Sequence, residues 1–188
     1  MPTLYIVSTP IGNLEDISLR ALRVLREARL IAVEDTRHAR VILQHYQITT
    51  PTVAYHEHNK DERVSAILVA LEQGDVALIS DAGTPGLSDP GYELISAALD
   101  AGHDVTAVPG ASALLAALVV SGVPFAQFTY VGFAPRRSSE RQKRFAALAD
   151  EPRPVVLYEA PHRLHACLVD LAKALGPDRQ IVVARELT

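Results

Sequence analysis

A turn-rich segment, Ser80-Asp-Ala-Gly-Thr-Pro-Gly-Leu-Ser-Asp-Pro-Gly91, directly follows the apolar run at residues 76–79. It holds three glycines, two prolines and two aspartates, and such a composition continues neither a strand nor a helix, because proline removes a donor and glycine relaxes the backbone. Gly83 and Gly86 would let the main chain approach a ligand, and Asp81 would offer that ligand a carboxylate. The segment therefore predicts a ligand-binding loop at the end of a buried strand; a plain connection to the next helix is the alternative.

Four other predicted strands are followed by polar residues or by glycine and proline. These strands are residues 4–7, 30–33, 52–55 and 104–108, and the segments after them are residues 9–13, 34–37, 56–59 and 109–112. Apolar residues at helical spacing separate the strands, so strands and helices alternate. Such alternation is typical of a largely parallel sheet, whose strands all end at one edge. We therefore expect the five loops to meet at one crevice.

The sequence predicts an α/β fold with two domains. Residues 122–124, Gly-Val-Pro, break a helix, so we place a domain with the five-stranded, largely parallel sheet and flanking helices at residues 1–122. A second α/β domain is expected at residues 123–188. Its predicted strands are residues 127–133, 155–158 and 181–184, and its predicted helices are residues 138–148 and 161–175. The chain stops directly after the last predicted strand, so we expect this second domain to be truncated.

Composition excludes several classes of protein. With 48% hydrophobic and 21% charged residues, the chain is expected to fold and not to be disordered. The net charge of −4 means that any contact with RNA depends on a local basic patch. A single cysteine, Cys167, forms no internal disulfide and is interpreted as a buried structural thiol. The sequence shows neither an apolar run of 18 residues nor a signal peptide, so we expect a cytoplasmic protein without a membrane partner.

Two familiar nucleotide-binding motifs are missing from the sequence. No G-x-G-x-x-G follows the first strand, and no G-x-x-x-x-G-K-[ST] occurs. A standard dinucleotide-binding domain and a P-loop NTPase therefore lose support.

Several polar groups admit both a structural and a functional interpretation. Residues 34–37, Glu-Asp-Thr-Arg, could cap the next helix or contact a substrate. His56 and His58 could bind metal or RNA, but a third ligand at a recognisable spacing is missing, so no metal is predicted. Ser112 could cap a helix whose amide groups bind an anionic ligand group, or it could simply begin that helix.

Residues 136–153 form a basic segment with six basic and three acidic residues, a local balance of +3. The basic residues are Arg136, Arg137, Arg141, Lys143, Arg144 and Arg153. Such a run is either a solvated helix face or a polyanion-binding site.

Taken together, these segments resemble a known family. They are Leu4-Tyr-Ile-Val-Ser-Thr-Pro-Ile-Gly-Asn-Leu14, Glu34-Asp-Thr-Arg37, His56-Glu-His-Asn59, Ser80-Asp-Ala-Gly-Thr-Pro85, Asp89-Pro-Gly91, Tyr158-Glu-Ala-Pro-His-Arg163 and Ala184-Arg-Glu-Leu-Thr188. The chain is similar nearly end to end to the small-subunit ribosomal RNA methyltransferase I family of the tetrapyrrole methylase superfamily. The resemblance implies two α/β domains with S-adenosylmethionine between them, methylation of a cytidine ribose 2′-oxygen in small-subunit (16S) rRNA, and a homodimer.

The resemblance also implies roles for particular residues. Those expected to hold the cofactor are Asp81, Ala82, Gly83, Thr84, Pro85, Pro109, Gly110, Ser112 and Ala113. Those expected to contact the substrate are Asn13, Glu34, Asn59, Arg136, Arg137 and Arg141. For catalysis, a base near the ribose hydroxyl would be His56, with Asp35 second, and Arg37 would neutralise phosphate.

Two departures from the family pattern bear on the site. Ala111 stands where Pro-Gly-Pro-Ser often has its second proline, and family members continue beyond Ala184-Arg-Glu-Leu-Thr188. Three functions therefore remain open: an rRNA methyltransferase, a methylase of a tetrapyrrole or other small molecule, and a truncated binding module without turnover. The nucleotide modified and the choice between naked RNA and an assembled subunit are also open.

Overall fold

The computed structural model describes the backbone of residues 1–188 and the side chains of all of them except Lys60 and Asp61. The chain forms two compact units. The first comprises Met1–Ala113 with Glu186–Thr188, and the second comprises Leu114–Arg185. The predicted limits, 1–122 and 123–188, differ from these units mainly at residues 114–122, a helix with its exit turn that groups with the second unit.

The first unit is an α/β fold with one five-stranded sheet. Its strands are β1 (Thr3–Val7), β2 (Leu30–Val33), β3 (Thr52–Ala54), β4 (Val76–Ile79) and β5 (Asp104–Val108). Its helices are α1 (Leu19–Glu27), α2 (Thr36–His45), α3 (Lys60–Glu72) and α4 (Tyr92–Asp100), with a short 3-10 helix at Leu14–Asp16. The strand order is β3-β2-β4-β1-β5 and every neighbouring pair is parallel, which confirms the predicted parallel sheet.

Helices cover both faces of this sheet. Helices α1 and α2 pack with Ala77 and Ile79 of β4, whereas α3 and α4 pack with Val76 and Leu78 of the same strand. Successive side chains of a strand point to opposite faces, so a strand between two helical layers is apolar throughout. This is why the short runs of valine, leucine and isoleucine, and not an alternating pattern, mark the central strands.

The second unit is smaller. It contains α5 (Ala113–Val120, whose first residue groups with the first unit), β6 (Thr129–Phe133), α6 (Ser138–Ala146), β7 (Val155–Tyr158), a 3-10 turn at Pro161–Arg163 and α7 (Leu164–Leu175). Strands β6 and β7 pair in parallel. Phe145 and Cys167 are buried in its core, and burial raises the pKa of the Cys167 thiol to about 11. The structure thus supports the interpretation of Cys167 as a structural thiol.

One predicted strand is wrong. Residues 181–184 form no strand, and Ile181, Val182 and Val183 are each about half exposed, at 53%, 49% and 53%. β-Branched residues favour extended backbone, but a strand also needs a neighbour that accepts and donates its hydrogen bonds. Among the described residues, no strand pairs with this segment.

The helices are short. The longest, α3, has 13 residues. Within the described part of the chain, no helix has the length and apolar character needed to cross a membrane.

Candidate active site

The candidate site lies where the strands of the first unit end. Central strand β4 leads to α4 on one face of the sheet, whereas its neighbours β2 and β1 lead to α2 and α1 on the other. Chains that leave neighbouring parallel strands toward opposite faces open a crevice at the carboxyl ends of those strands. The loops after β1, β2 and β4 border this crevice.

The loop after β4 is joined to the loop after β1 by backbone hydrogen bonds. The Thr9 amide donates to the Gly83 carbonyl at 2.8 Å, and the Gly83 amide donates to the Thr9 carbonyl at 3.0 Å, forming an antiparallel bridge. Gly83 has φ +79°, a conformation that other residues adopt only with strain. The hydroxyls of Ser8 and Thr84 also lie 2.9 Å apart. The two loops are therefore fixed to each other before any ligand binds.

The loop after β5 packs closely against the same place. A Cβ on Gly110 would lie 2.9 Å from the Cβ of Ser8, so only glycine fits there. A Cβ on Gly83 would lie 3.8 Å from the carbonyl oxygen of Ala111. The segments at residues 81–85 and 109–111 thus lie close together at the edge where the strands end, as predicted.

Asp81 connects the loop after β4 to the start of α2. One carboxylate oxygen accepts a hydrogen bond from the Asp35 amide at 3.1 Å, and the other lies 2.7 Å from Nδ1 of His38. The Asp81 amide donates to the Glu34 carboxylate at 3.3 Å. The predicted cofactor-side Asp81 and substrate-side Glu34 are therefore neighbours.

Burial and hydrogen bonding at this edge shift the pKa values of three side chains. Burial raises the pKa of Glu34 above its ordinary value, against the opposing hydrogen bond from the Asp81 amide. Hydrogen bonds from Arg37 hold the pKa of the Asp35 carboxyl well below its usual range. The hydrogen bond to Asp81 raises the pKa of His38. Glu34 and His38 thus keep their protons to higher pH than usual, whereas Asp35 stays an anion.

Asp35 and Arg37 form a local structural pair. The Asp35 carboxylate caps α2 by accepting from the Arg37 amide at 2.8 Å, and it also binds the Arg37 guanidinium at 2.6 Å. An anion held this far below its usual pKa is a weak base. The helix-capping interpretation of residues 34–37 therefore applies to Asp35, while the Arg37 side chain remains 86% exposed.

The loop after β3 is held by Asn59. Its side-chain oxygen accepts from the His56 amide at 2.8 Å, and its amide nitrogen donates to the Ala54 carbonyl at 3.2 Å. Nδ1 of His56 is buried and, among the described side chains, has no hydrogen-bond partner. The His56 and His58 rings lie 6.1 Å apart between centroids. Asn59 therefore shapes the turn that carries both histidines.

Asn13 also has a structural contact. Its side-chain oxygen accepts from the Glu15 amide at 3.1 Å and caps the 3-10 helix at Leu14–Asp16. Asn13 is exposed and lies four residues after Thr9 in the chain. Its predicted substrate contact stays a prediction.

A cavity of about 390 Å³ lies between α2 and the neighbouring β3 edge. Its polar lining consists of Thr36, Arg37, Arg40, Gln44, Thr49, Thr50 and Thr52. Two arginines among hydroxyl groups provide donors suited to phosphate oxygens.

The structure removes Arg141 from the predicted basic patch. Its side chain is 6% exposed, and its guanidinium donates to Oδ2 of Asp170 at 2.5 and 2.9 Å. Gln142 donates to Oδ1 of Asp170 at 2.8 Å. The Gln142 hydrogen bond and the arginine lower the pKa of Asp170. Arg141 lies one turn before buried Phe145, on the inner face of α6, so its guanidinium is engaged within the protein. The other five basic residues of the segment are exposed: Arg136, Arg137, Lys143, Arg144 and Arg153.

This burial predicts a stability difference. Arg141→Ala should lower the melting temperature by several degrees, because it leaves the buried Asp170 carboxylate without its cation. Arg137→Ala, in which the truncated side chain is 82% exposed, is the matched control and should melt as the wild type does. Thermal denaturation followed by circular dichroism measures both. Equal melting temperatures for the two variants would contradict the structural role of Arg141.

The residues with described side chains include no group of three or more histidine, cysteine, aspartate or glutamate side chains placed to hold a metal ion. The residues predicted from the sequence included Thr84 but neither His38 nor Ser8, which the structure also brings to the crevice. His38 follows Glu34-Asp-Thr-Arg37 directly and lies in the first turn of α2. That position was the available signal, because the first turn after a parallel strand borders the crevice.

Comparisons with known proteins found one matching family and many similar sequences. The family described as Tetrapyrrole (Corrin/Porphyrin) Methylases matches residues 3–188. The chain is 51% identical to a Ribosomal RNA small subunit methyltransferase I of Synechocystis sp., covering 100% of this chain and 68% of the relative. It is 52% identical to the protein of that name from Xylella fastidiosa, covering 99% and 68%, and 51% identical to that from Pseudomonas aeruginosa, covering 99% and 66%. The chain thus spans about two thirds of the length of these relatives.

A solved structure shares the fold. The uroporphyrin III C-methyltransferase of Thermus thermophilus superimposes with a TM-score of 0.63 at 23% identity, covering 93% of this chain and 77% of that one. At this identity the likeness concerns the fold alone.

Proposed function

The chain belongs to the tetrapyrrole methylase family, and we propose that it transfers a methyl group from S-adenosylmethionine to a cytidine ribose 2′-oxygen of small-subunit (16S) rRNA. The observation that carries the proposal is the crevice at the end of β4, where the loops after β1, β4 and β5 close on each other beside Asp81. The choice of rRNA over a tetrapyrrole is supported by relatives at 51–52% identity that are named rRNA methyltransferases, against 23% for the tetrapyrrole enzyme.

The residues at this crevice fit S-adenosylmethionine. When bound, this donor supplies a methyl group on a positively charged sulfonium. A carboxylate at Asp81 suits its ribose hydroxyls and positive charge, and Asp81 and Ala82 are exposed at this edge of the sheet. The residues proposed to hold it are Asp81, Ala82, Gly83, Thr84, Pro85, Pro109, Gly110, Ser112 and Ala113.

The polar residues on the other side of Asp81 are proposed to contact RNA. These residues follow β1, β2 and β3, and they are Asn13, Glu34, Arg37, His56 and Asn59. Arg37 also lines the cavity beside α2. The protein's part in the reaction is to align the ribose hydroxyl with the donor and to exclude water. By the same resemblance we propose a homodimer that acts in the cytoplasm.

A methyl-transfer assay tests the proposed function. The full-length protein is incubated with radiolabelled S-adenosylmethionine and unmodified small ribosomal subunits, and separately with naked small-subunit RNA. We expect label in 2′-O-methylcytidine after digestion to nucleosides. Calorimetric donor binding without transfer would support the non-catalytic module instead, and label transferred to a porphyrin but not to RNA would support the small-molecule methylase.

The exposed arginines beside α6 predict a salt-dependent contribution to RNA binding. Replacing Arg136, Arg137 and Arg144 with glutamine should weaken binding to the subunit and reduce the slope of log affinity against log salt by about one for each phosphate that is no longer neutralised. The control removes the same charge from α1 by replacing Arg20, Arg23 and Arg26 with glutamine. Filter binding at several salt concentrations gives both slopes, and an equal weakening in the two triple variants would contradict a local RNA site.

A further inference from the structure

His38 is a titratable side chain at the crevice, and one of its ring nitrogens contacts the Asp81 carboxylate. Its Nδ1 lies 2.7 Å from an Asp81 carboxylate oxygen, and the side chain is 65% exposed. The other Asp81 oxygen is fixed by the Asp35 amide at 3.1 Å. A carboxylate that binds one ring nitrogen sets the tautomer and orientation of the imidazole and leaves the other nitrogen to meet a substrate.

We propose that His38, oriented by Asp81, is the general base that takes the proton from the ribose hydroxyl; this rests on the proposed function. The hydroxyl oxygen forms a bond to the donor's methyl carbon while the carbon–sulfur bond breaks and its electron pair stays on sulfur. The hydroxyl proton passes to Nε2 of His38, which later releases it to water. Charge is conserved, because the sulfonium becomes a neutral thioether as the imidazole becomes an imidazolium.

Two other candidates for the base fit the geometry less well. Asp35 caps α2 and binds Arg37, so its carboxylate is a weak base. His56 has a buried Nδ1 that, among the described side chains, meets no hydrogen-bond acceptor to orient the ring. Of these three candidates, His38 has an exposed imidazole ring whose Nδ1 contacts the Asp81 carboxylate.

The charges around His38 determine the expected pH dependence. Asp81 and, more weakly, Asp35 raise its pKa, whereas Arg37 lowers it, and the Glu34 carboxylate lies next to Asp81. A base acts in its neutral form, so the rate should be low at acidic pH and should rise through a pKa above the ordinary histidine value of 6.5. It should then reach a plateau.

The test compares two variants in the full-length protein. His38→Asn retains an amide that can donate to Asp81 but cannot act as a base. His45→Asn, at the exposed last residue of the same helix, is the matched histidine control. For His38→Asn we expect kcat to fall by about 100-fold or more, with loss of the acidic limb of the pH profile. Its Kd values for S-adenosylmethionine and for the small subunit should stay within about threefold of the wild type, and His45→Asn should retain most of its kcat.

A second readout needs neither donor nor turnover. Titration of the His38 ring by NMR should give a pKa above 6.5 in the wild type and a lower one in Asp81→Asn, because the charged partner is removed. Retention of kcat in His38→Asn, or an unchanged His38 pKa in Asp81→Asn, would overturn the inference. If the wild type binds the donor but methylates no rRNA, both the proposed function and this inference are wrong. If both the wild type and the His38→Asn variant methylate rRNA, the inference is wrong and the proposed function stands.

Discussion

Asp81→Ala should weaken binding of S-adenosylmethionine by about 100-fold or more, because the variant lacks a charged hydrogen-bond acceptor at the crevice. The same change removes the oxygen atoms that hold the Asp35 amide and the His38 ring. The loops after β2 and β4 are then no longer connected through this side chain. Isothermal calorimetry with the donor measures the change in affinity directly.

Two controls separate this effect from general damage. Asp81→Asn keeps an oxygen that can accept from the Asp35 amide, so it should retain more affinity than Asp81→Ala. Asp100→Ala removes an exposed carboxylate at the end of α4, near the opposite end of the sheet, and should bind the donor normally. A folded Asp81→Ala variant with wild-type affinity would show that Asp81 serves only the loops.

Gly110→Ala should lower methyl transfer by about 100-fold, since small displacements of substrate-positioning groups have effects of that size. The added Cβ would lie 2.9 Å from the Ser8 Cβ and 3.3 Å from the Ser8 carbonyl oxygen. The loops after β5 and β1 must therefore move apart. The overpacking should also reduce the free energy of unfolding by about 1–3 kcal/mol.

The matched variant removes the opposing Cβ. Ser8→Gly added to Gly110→Ala should recover part of the stability and of the donor affinity, although it also removes the Ser8 hydroxyl that lies beside Thr84. Urea denaturation and calorimetry measure the two quantities in the single and double variants. Full activity in Gly110→Ala would mean that the close approach has no part in forming the site.

The crevice could be predicted from the sequence because its determinants are local. Each apolar run is followed by its own loop, and the parallel sheet places every such loop at the same edge. The pairing of His38 with Asp81, 43 residues apart, could not be predicted. It depends on β2 and β4 being neighbours, and the sequence positions of the strands do not give their order in the sheet.

The error at Arg141 has a different origin. Counting charges over residues 136–153 ignores which face of α6 each side chain occupies, and Phe145 was the only local sign of the inner face. The partner, Asp170, lies 29 residues further along the chain in α7. The predicted strand at residues 181–184 is wrong for a similar reason. Its residues favour an extended backbone, but no described strand pairs with them.

The Thr9–Gly83 bridge adds an isolated antiparallel pair of hydrogen bonds beyond the last residues of the parallel strands β1 and β4. Loops tied in this way have little freedom left to lose when a small molecule arrives. Less of the donor's interaction energy would then go into ordering the protein, and more would appear as affinity. In such a receptor, the conformational change on binding would fall mainly on the ligand and not on these two loops.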